Sequence, residues 1–278
     1  MKFSTGSKTF LVGEYSVVFG GSAIILITPP SFELRVTNGE TSFSGVDPAS
    51  PAYMFYRSHD FHNISVEFFD PHKGGGGFGA SSAQFALLYQ LHLRLTLTQF
   101  DIDLFLKEYR KFSGINGCAI PSGADSVAQY FNHSIFFDAK TNAVEELNWT
   151  FPNLDFAILK TAYKVATHSH LRNIEFFDVS DLQEPIINVK KSFRRNDEEL
   201  LVRSVQNFFD MLKERNLVIA QNVATIDKLL KIDGIKAAKG CGALGADAIL
   251  IIFEKQKKNE LQHILQRHCA KDSFWRMG

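Results

Sequence analysis

The stretch from Lys73 to Ala83, KGGGGFGASSA, constrains this chain more than any other. Four consecutive glycines precede Phe78, Gly79 and Ala80, and the pair Ser81 and Ser82 leads into AQFALLYQLHL, a run with the content of a helix. Glycine tolerates positive φ and lets another group approach the main chain closely. A glycine-rich turn that feeds a helix presents unpaired N–H groups and the positive end of the helix dipole, which together suit a phosphate. The serine hydroxyls stand where they can hold a phosphate oxygen or a Mg²⁺ ion. The same residues also suit a flexible surface loop closed by a serine cap, because a glycine-rich loop alone is a weak signal. The stretch is not the common P-loop, since no lysine follows the last glycine as GxxxxGK[ST] requires. The dinucleotide-binding pattern with an acidic ribose partner about 20 residues on is set aside as well.

At 278 residues and 45% apolar content, the chain suffices for one large domain or two modest ones with a packed core. Its 30 basic and 30 acidic residues balance, so nucleic acid is not an expected partner and any phosphate chemistry must use local positive charge. Cys118, Cys241 and Cys269 form an odd set without metal-ligand spacing, which points to a reduced, cytoplasmic protein rather than a disulfide scaffold. The N-terminal MKFSTGSKTFLVGEYSVV mixes charge into its apolar residues, unlike a signal peptide. The longest apolar runs, Ala23 to Ile27 and Ala248 to Phe253, are strand-length, so no membrane association is expected.

Residues 8 to 12 and 23 to 28 are rich in β formers and read as strands, as do the alternating SFELRVT and ISVEFFD. Asn38-Gly39 is a turn signal, and residues 47 to 62, with Pro48 and Pro51, read as irregular. Asp101 can cap a helix, IDLFLKEYRKF, that Gly114 ends. Pro121-Ser122-Gly123 is a turn before a helix from Ala124 to Phe131, and SIFFD is a strand. The polar segment from Lys140 to Asn148 marks a domain junction, dividing the chain into residues 1–147 and 148–278. Beyond it come a strand in LDFAILKTA, a long amphipathic helix over 197–216, a helix around 222–230 and a strand from Ile235 to Lys239. A second glycine turn, GCGALGAD, then leads to a buried strand, AILIIFE, and a closing helix. This order suits an α+β fold in two layers.

Three motifs and a fourth short pattern carry a family resemblance. Ser7 to Val18, SKTFLVGEYSVV, is similar to PGKxxLxGEHxVxxG; Gly77 to Ala83, GFGASSA, is similar to GLGSSAA. Lys239 to Asp247, KGCGALGAD, is similar to KxxGAGGGG or GAGGGD, and Pro121 to Asp125, PSGAD, to PSGxD. In this order they resemble the GHMP small-molecule kinases, in the mevalonate kinase and phosphomevalonate kinase branch. The resemblance implies a two-domain α+β fold: an N-terminal α/β domain with a left-handed-type β-α-β phosphate loop, and a ferredoxin-like C-terminal domain. It implies ATP and Mg²⁺ as cofactors and a small-molecule alcohol as substrate. The family includes monomers and dimers, so a homodimer is open.

The resemblance also assigns roles. Gly75, Gly76, Gly77, Phe78, Gly79, Ala80, Ser81 and Ser82 would cradle the triphosphate, with Ser82 on the Mg²⁺ side. Asp125 resembles the catalytic acid that takes or orients the acceptor proton, and Lys8 the lysine beside it that stabilises the alkoxide. Glu14 and Tyr15 belong to the first motif near the substrate, Glu14 more as a structural member than a catalytic one. Gly242 and Ala243 would come from the third motif. In KTAYKVATHSHLR, Lys164 and Thr167 match TGxKxxT; with Lys160, His168, His170 and Arg172 they form a basic stretch that suits either an acceptor already carrying phosphate or a solvated turn. Tyr15, where mevalonate kinases carry His, and Asp247 incline toward phosphomevalonate kinase, whereas PSGAD is closer to mevalonate kinase. Ser7, Leu244 and Ala246 depart from family glycines, which leaves room for a non-catalytic nucleotide-binding relative.

Overall fold

The computed structural model describes residues 1–114, 120–161, 179–268 and 274–275. One long strand organises the first half. β2 (Ser22–Asn38) pairs antiparallel with β1 (Lys2–Val12) along one edge. Its other edge is shared by β5 (Ile135–Asp138) at the start and β4 (Ile64–Phe69) at the end. β3 (Ser42–Ser44) joins β4 and β6 (Ala143–Glu146) joins β5, which completes a six-stranded sheet. The sequence reads residues 23–28 and SFELRVT as separate strands, and the structure joins them. Gly6 faces Ser31 and the next residue, Ser7, faces Thr28, so Pro29 and Pro30 bulge out of the ladder. Proline has no N–H to donate, and a bulge is where a strand can hold it without losing a ladder bond.

Four helices follow in this half: α1 (Pro51–Ser58), α2 (Ala80–Thr96), α3 (Ile102–Ser113) and α4 (Ala124–Phe131). α2 and α4 pack on β1 and β2, and α1 packs on α2 and α3. Asp101 caps α3 by accepting from the Leu104 N–H at 2.8 Å, as its sequence suggests. α1 lies in a segment that reads as irregular. Ser50 accepts from the Tyr53 N–H at 3.2 Å and Pro51 takes the first helical position, where a missing N–H costs nothing. The two prolines that suggest a loop are in part a helix start.

In the second half β7 (Leu154–Lys160), β8 (Ile235–Cys241), β9 (Ala248–Glu254) and β10 (Phe274–Trp275) form an antiparallel sheet in the order β10-β7-β9-β8. Among the described residues its helices are α5 (Gln183–Arg195), α6 (Glu198–Glu214), α7 (Ala220–Leu229) and α8 (Lys258–His268). α5 is absent from the sequence reading, yet Ile186, Val189 and Phe193 give it a buried stripe. β9 is apolar throughout because both faces are covered. Leu250 and Ile252 enter the main core, while Ile249, Ile251 and Phe253 enter a smaller one with Ile226 and Leu261. The result is the α+β class expected, with two sheets. The polar junction contains β6, which stays with the first sheet.

The main core does not stop between the sheets. It includes Leu11, Ile24 and Phe85 from the first half and Phe156, Val205 and Leu250 from the second. Within this seam lies a charge pair. Lys239 on β8 is 0% exposed, and its Nζ meets the Glu14 carboxylate at 2.8 Å and donates to the Phe10 carbonyl at 3.1 Å. Burial pushes the Lys239 ammonium down; Cys241 and Glu14 outweigh it, and the net direction is up. The lysine is therefore held charged between the two sheets.

Two stability predictions follow from these placements. Glu14→Gln leaves a buried ammonium without its counter-charge and lowers unfolding free energy by about 3–5 kcal/mol, whereas the Glu14→Met/Lys239→Met pair recovers most of the loss. Equal denaturation midpoints for Glu14→Gln and wild type would deny the pair its role. Leu97 caps α2 at φ 55° and is 91% exposed, so it bears left-handed strain with little packing in return. Leu97→Gly raises stability by about 0.5–1 kcal/mol in urea melts; a lower midpoint would contradict this.

Candidate active site

The bulge in β2 lies opposite the residues that start the site. The Ser7 hydroxyl donates to the Pro30 carbonyl at 2.8 Å and lies 2.6 Å from His72 Nε2. Next along β1, the Lys8 N–H donates to the Phe78 carbonyl at 3.0 Å, which ties the glycine loop to the strand. The Lys8 side chain runs under the loop. A Cβ placed on Gly79 would be 2.5 Å from Lys8 Cγ, and Gly79 has φ +87°, so both space and backbone call for glycine there. Lys8 Nζ reaches Asp125 Oδ2 at 3.2 Å, with side chains 16% and 21% exposed, and lies 4.9 Å from the centre of the Phe10 ring.

Asp125 sits in the first turn of α4, behind Gly123 at φ +86°. Arg110 donates to the Ser122 carbonyl at 2.9 Å and fixes that turn. Oδ1 of Asp125 accepts from the Ser126 N–H at 3.0 Å, which leaves Oδ2 for Lys8. The buried Tyr109 packs nearby; burial, then the Asp125 charge, hold its phenol well above the ordinary range. α4 is stitched to β1 by Gln129 Nε2 donating to the Gly6 carbonyl at 3.0 Å and Asn132 Oδ1 accepting from the Gly6 N–H at 2.8 Å. These bonds set the register of Lys8 against Asp125.

The glycine loop is built from its foot. Asp70 accepts from the N–H groups of His72 and Gly74 at 2.8 and 2.9 Å. The His72 ring stacks on Phe78, centroids 4.2 Å apart and planes 8° apart. Burial holds the His72 imidazole below its ordinary value; Asp70 pulls it up and Lys160 pushes it down. At the far end of the loop α2 begins at Ala80, with Gly79 as its N-cap and no capping side chain. Its first N–H groups therefore lack the partner that a Ser, Thr or Asp cap supplies. The two serines part company here. Ser81 is exposed, whereas Ser82 is 3% exposed and its hydroxyl donates to the Gly79 carbonyl at 3.0 Å. The Ser82 hydroxyl, expected on the Mg²⁺ side, is thus engaged with the helix, and the Ser81 hydroxyl is the exposed one of the two. One residue of helix turns a Cβ by about 100°, enough to separate an outward side chain from an inward one, and the sequence pair SS does not say which is which.

The third motif meets the loop from the other sheet. A Cβ on Gly77 would lie 2.8 Å from Asp247 Cβ, and Gly242, at φ +86°, is crowded by the same side chain. Leu244, in place of a family glycine, has φ 51°. It is held by its N–H, which donates to the Tyr15 hydroxyl at 3.0 Å, and its carbonyl, which accepts from Ile219 at 3.0 Å. Tyr15 is buried, and burial raises its phenol further above the usual range. Glu14 and Tyr15 are thus placed in the seam between the sheets, engaged with Lys239 and Leu244. Gly242 is half-buried and Ala243 buried. Lys164, Thr167, His168, His170 and Arg172, with Cys118 and Cys269, lie outside the described residues.

The structure thus brings Lys8, Asp125, Gly75 to Ser81 and Asp247 together. His72, Asp70, Gln129 and Asn132, which build this site, are absent from the sequence reading; only a histidine and an aspartate just before the glycine run hinted at two of them. A cavity of about 580 Å³ lined by Pro152, Glu198, Lys236 and Gln256 contains none of these residues. Among the described residues no group of three or more His, Cys, Asp or Glu forms a metal cage, and no helix is long and apolar enough to cross a membrane.

No protein-family model and no curated protein matches the chain. Solved structures do. Streptococcus pneumoniae phosphomevalonate kinase, in complex with phosphomevalonate and AMPPNP, superposes with a TM-score of 0.78 at 15% identity, covering 100% of this chain and 99% of that one. Methanococcus jannaschii mevalonate kinase gives 0.69 at 15% identity, over 100% and 96% of the two chains. Lactococcus lactis galactokinase, complexed with galactose, gives 0.72 at 11% identity over 96% and 88%. The chain has the fold of the GHMP kinases.

His72 makes the site sensitive to acid. Its folded value is lowered below the ordinary one of about 6.5, so the unfolded chain binds the proton more readily and stability falls as pH drops below that value. Between pH 7.5 and 5.5, His72→Gln loses less melting temperature than wild type does. Equal losses in the two proteins would show that protonating His72 costs the fold nothing.

Proposed function

We propose that this chain is an ATP-dependent kinase that transfers the γ-phosphoryl group to a hydroxyl of a mevalonate-pathway intermediate. One observation carries the reading: the Lys8–Asp125 pair, 3.2 Å apart, lies against Gly79 at the uncapped start of α2. Phosphoryl transfer needs a cradle for polyphosphate beside a group that takes or orients the acceptor proton. The residues present fit ATP, through the free first turn of α2, the glycines before it and the exposed Ser81. They fit Mg²⁺ more sparely, with Ser81 the hydroxyl at hand, as suits an ion that keeps waters and phosphate oxygens around it. When bound, Mg²⁺-ATP supplies the electrophilic phosphorus and neutralises charge on it.

The chain's own groups do the rest. Asp125 Oδ1 is fixed by the Ser126 N–H, which aims Oδ2 and Lys8 at a common point. An acceptor hydroxyl there gives its proton to Asp125 or is oriented by it, and Lys8 stabilises the negative charge left on oxygen. In this reading residues 1–147 hold the nucleotide loop and Asp125, and residues 148–278 bring the third motif, with Gly242 and Ala243, toward the acceptor. The likeness to a phosphomevalonate kinase, together with Tyr15 and Asp247, favours an acceptor that already carries phosphate.

The test is ADP release with Mg²⁺-ATP and, in turn, mevalonate, 5-phosphomevalonate, galactose and homoserine. Turnover is expected with one mevalonate compound, and most with the phosphorylated one. Asp125→Ala and Lys8→Met each lower kcat by a factor on the order of 100 or more while ATP still binds. ATP binding without turnover on any of the four would remove the mevalonate-pathway assignment, and near-normal turnover in either variant would remove that residue from its role.

A further inference from the structure

We propose that Lys160, supplied by the second sheet, is the nucleotide-phosphate lysine of the glycine loop, its ammonium binding the polyphosphate that the start of α2 receives. The inference rests on the kinase reading above and names a residue outside the four motifs that carry it.

Lys160 is the last residue of β7. A Cβ built on Gly75 would lie 2.6 Å from its Nζ and 3.5 Å from its Cε, so the ammonium rests on the open face of that glycine. A second sign of the same placement is the pressure of its charge on His72, at the foot of the loop. Among the described residues four lysines come close to the motifs, and two have carboxylate partners: Lys8 has Asp125 and Lys239 has Glu14. Among the described residues no carboxylate pairs with Lys160. Lys73, the loop's own lysine, is exposed.

The chemistry explains why a lysine is needed here. A P-loop takes its phosphate lysine from the start of its own helix. Here that start reads Ala80-Ser81-Ser82 and offers no cation. Asp247 packs against Gly77 on the same loop and sets a negative charge near the cradle. A polyphosphate there calls for positive charge, and among the described residues the nearby ammonium with no carboxylate partner is that of Lys160. Gly75, which Lys160 covers, and Gly79, which Lys8 covers, are opposite ends of the loop. The two lysines therefore divide the work: Lys8 stands with Asp125 at the acceptor end, and Lys160 at the other.

Lys160 is also anchored. The N–H of Thr161 donates to the Asp247 carbonyl at 3.2 Å and its hydroxyl donates to the Ala246 carbonyl, while Lys160 pairs with Ala248 across the sheet. The end of β7 is held to the third motif, so nucleotide held by Lys160 is held by both sheets at once.

Calorimetric binding of Mg²⁺-ATP and of adenosine to wild type, Lys160→Met and Lys160→Arg, at low and high salt, tests the assignment. Lys160→Met is expected to weaken ATP binding at least about tenfold and to flatten its salt dependence, with adenosine unaffected and Lys160→Arg close to wild type. ATP affinity within twofold of wild type in Lys160→Met would overturn the inference and leave the kinase reading standing. An equal loss for adenosine would also overturn it, because the residue would then act through the fold. A higher KM for a phosphorylated acceptor at unchanged ATP affinity would overturn it in favour of the acceptor side. Failure of wild type to bind ATP would overturn the kinase reading, and this inference with it.

Discussion

The ion pair between Glu14 and Lys239 is the contact on which the arrangement of the site depends. A charge buried between two sheets is costly, and it persists only where partners surround it. Lys239 has Glu14, the Phe10 carbonyl and the Cys241 sulfur. The pair pins the end of β1 to β8, just before the turn that carries Gly242, Leu244 and Asp247. Six residues earlier on β1 stands Lys8. One strand is therefore tied at one point to the Lys8–Asp125 pair and at another to the third motif, and a shift of the seam would move both. Tyr15, whose hydroxyl accepts from Leu244, adds a second tie at the same place.

Beside this seam, α2 starts without the stability that a side-chain cap gives a helix. α2 and α4 both begin behind a glycine with positive φ; at α4 the Ser122 hydroxyl accepts from the Ala124 N–H at 3.3 Å and Asp125 from the Ser126 N–H, whereas α2 has no capping side chain. A Ser or Asp at the N-cap of α2 would satisfy first-turn N–H groups that otherwise stand open to an anion. The Ser126 hydroxyl donates to the Ser82 carbonyl at 3.3 Å and keeps the two starts side by side. Polar bonds elsewhere, from Gln129, Asn132 and Asp70, are spent on holding β1, α4 and the loop in register, which is the work a preformed site requires.

Much of this was legible in the sequence. The glycine run, the Asp101 cap, the helix after PSGAD and the apolar AILIIFE each follow from local chemistry and lie where that chemistry puts them. What was not legible depends on partners distant in the chain. β2 is continuous through Pro29 and Pro30 only because β1 tolerates a bulge there. The prolines near Pro51 read as loop because the cap at Ser50 and a proline at the first helical turn look the same as a turn until the helix is packed. Ser81 and Ser82 are chemically identical in sequence, and only the direction of the helix separates the exposed hydroxyl from the buried one. Ser7 reads as a lost glycine, whereas in the structure it joins Pro30 to His72 under the loop.

The most direct measurement is a crystal structure of the chain with Mg²⁺ and AMPPNP. The β- and γ-phosphates are expected over the loop from Gly75 to Ser81, with the γ-phosphorus facing the Lys8–Asp125 pair. A nucleotide seated elsewhere, such as the cavity beside Lys236 and Glu254, or phosphates turned away from Asp125, would contradict the assignment of this site to phosphoryl transfer.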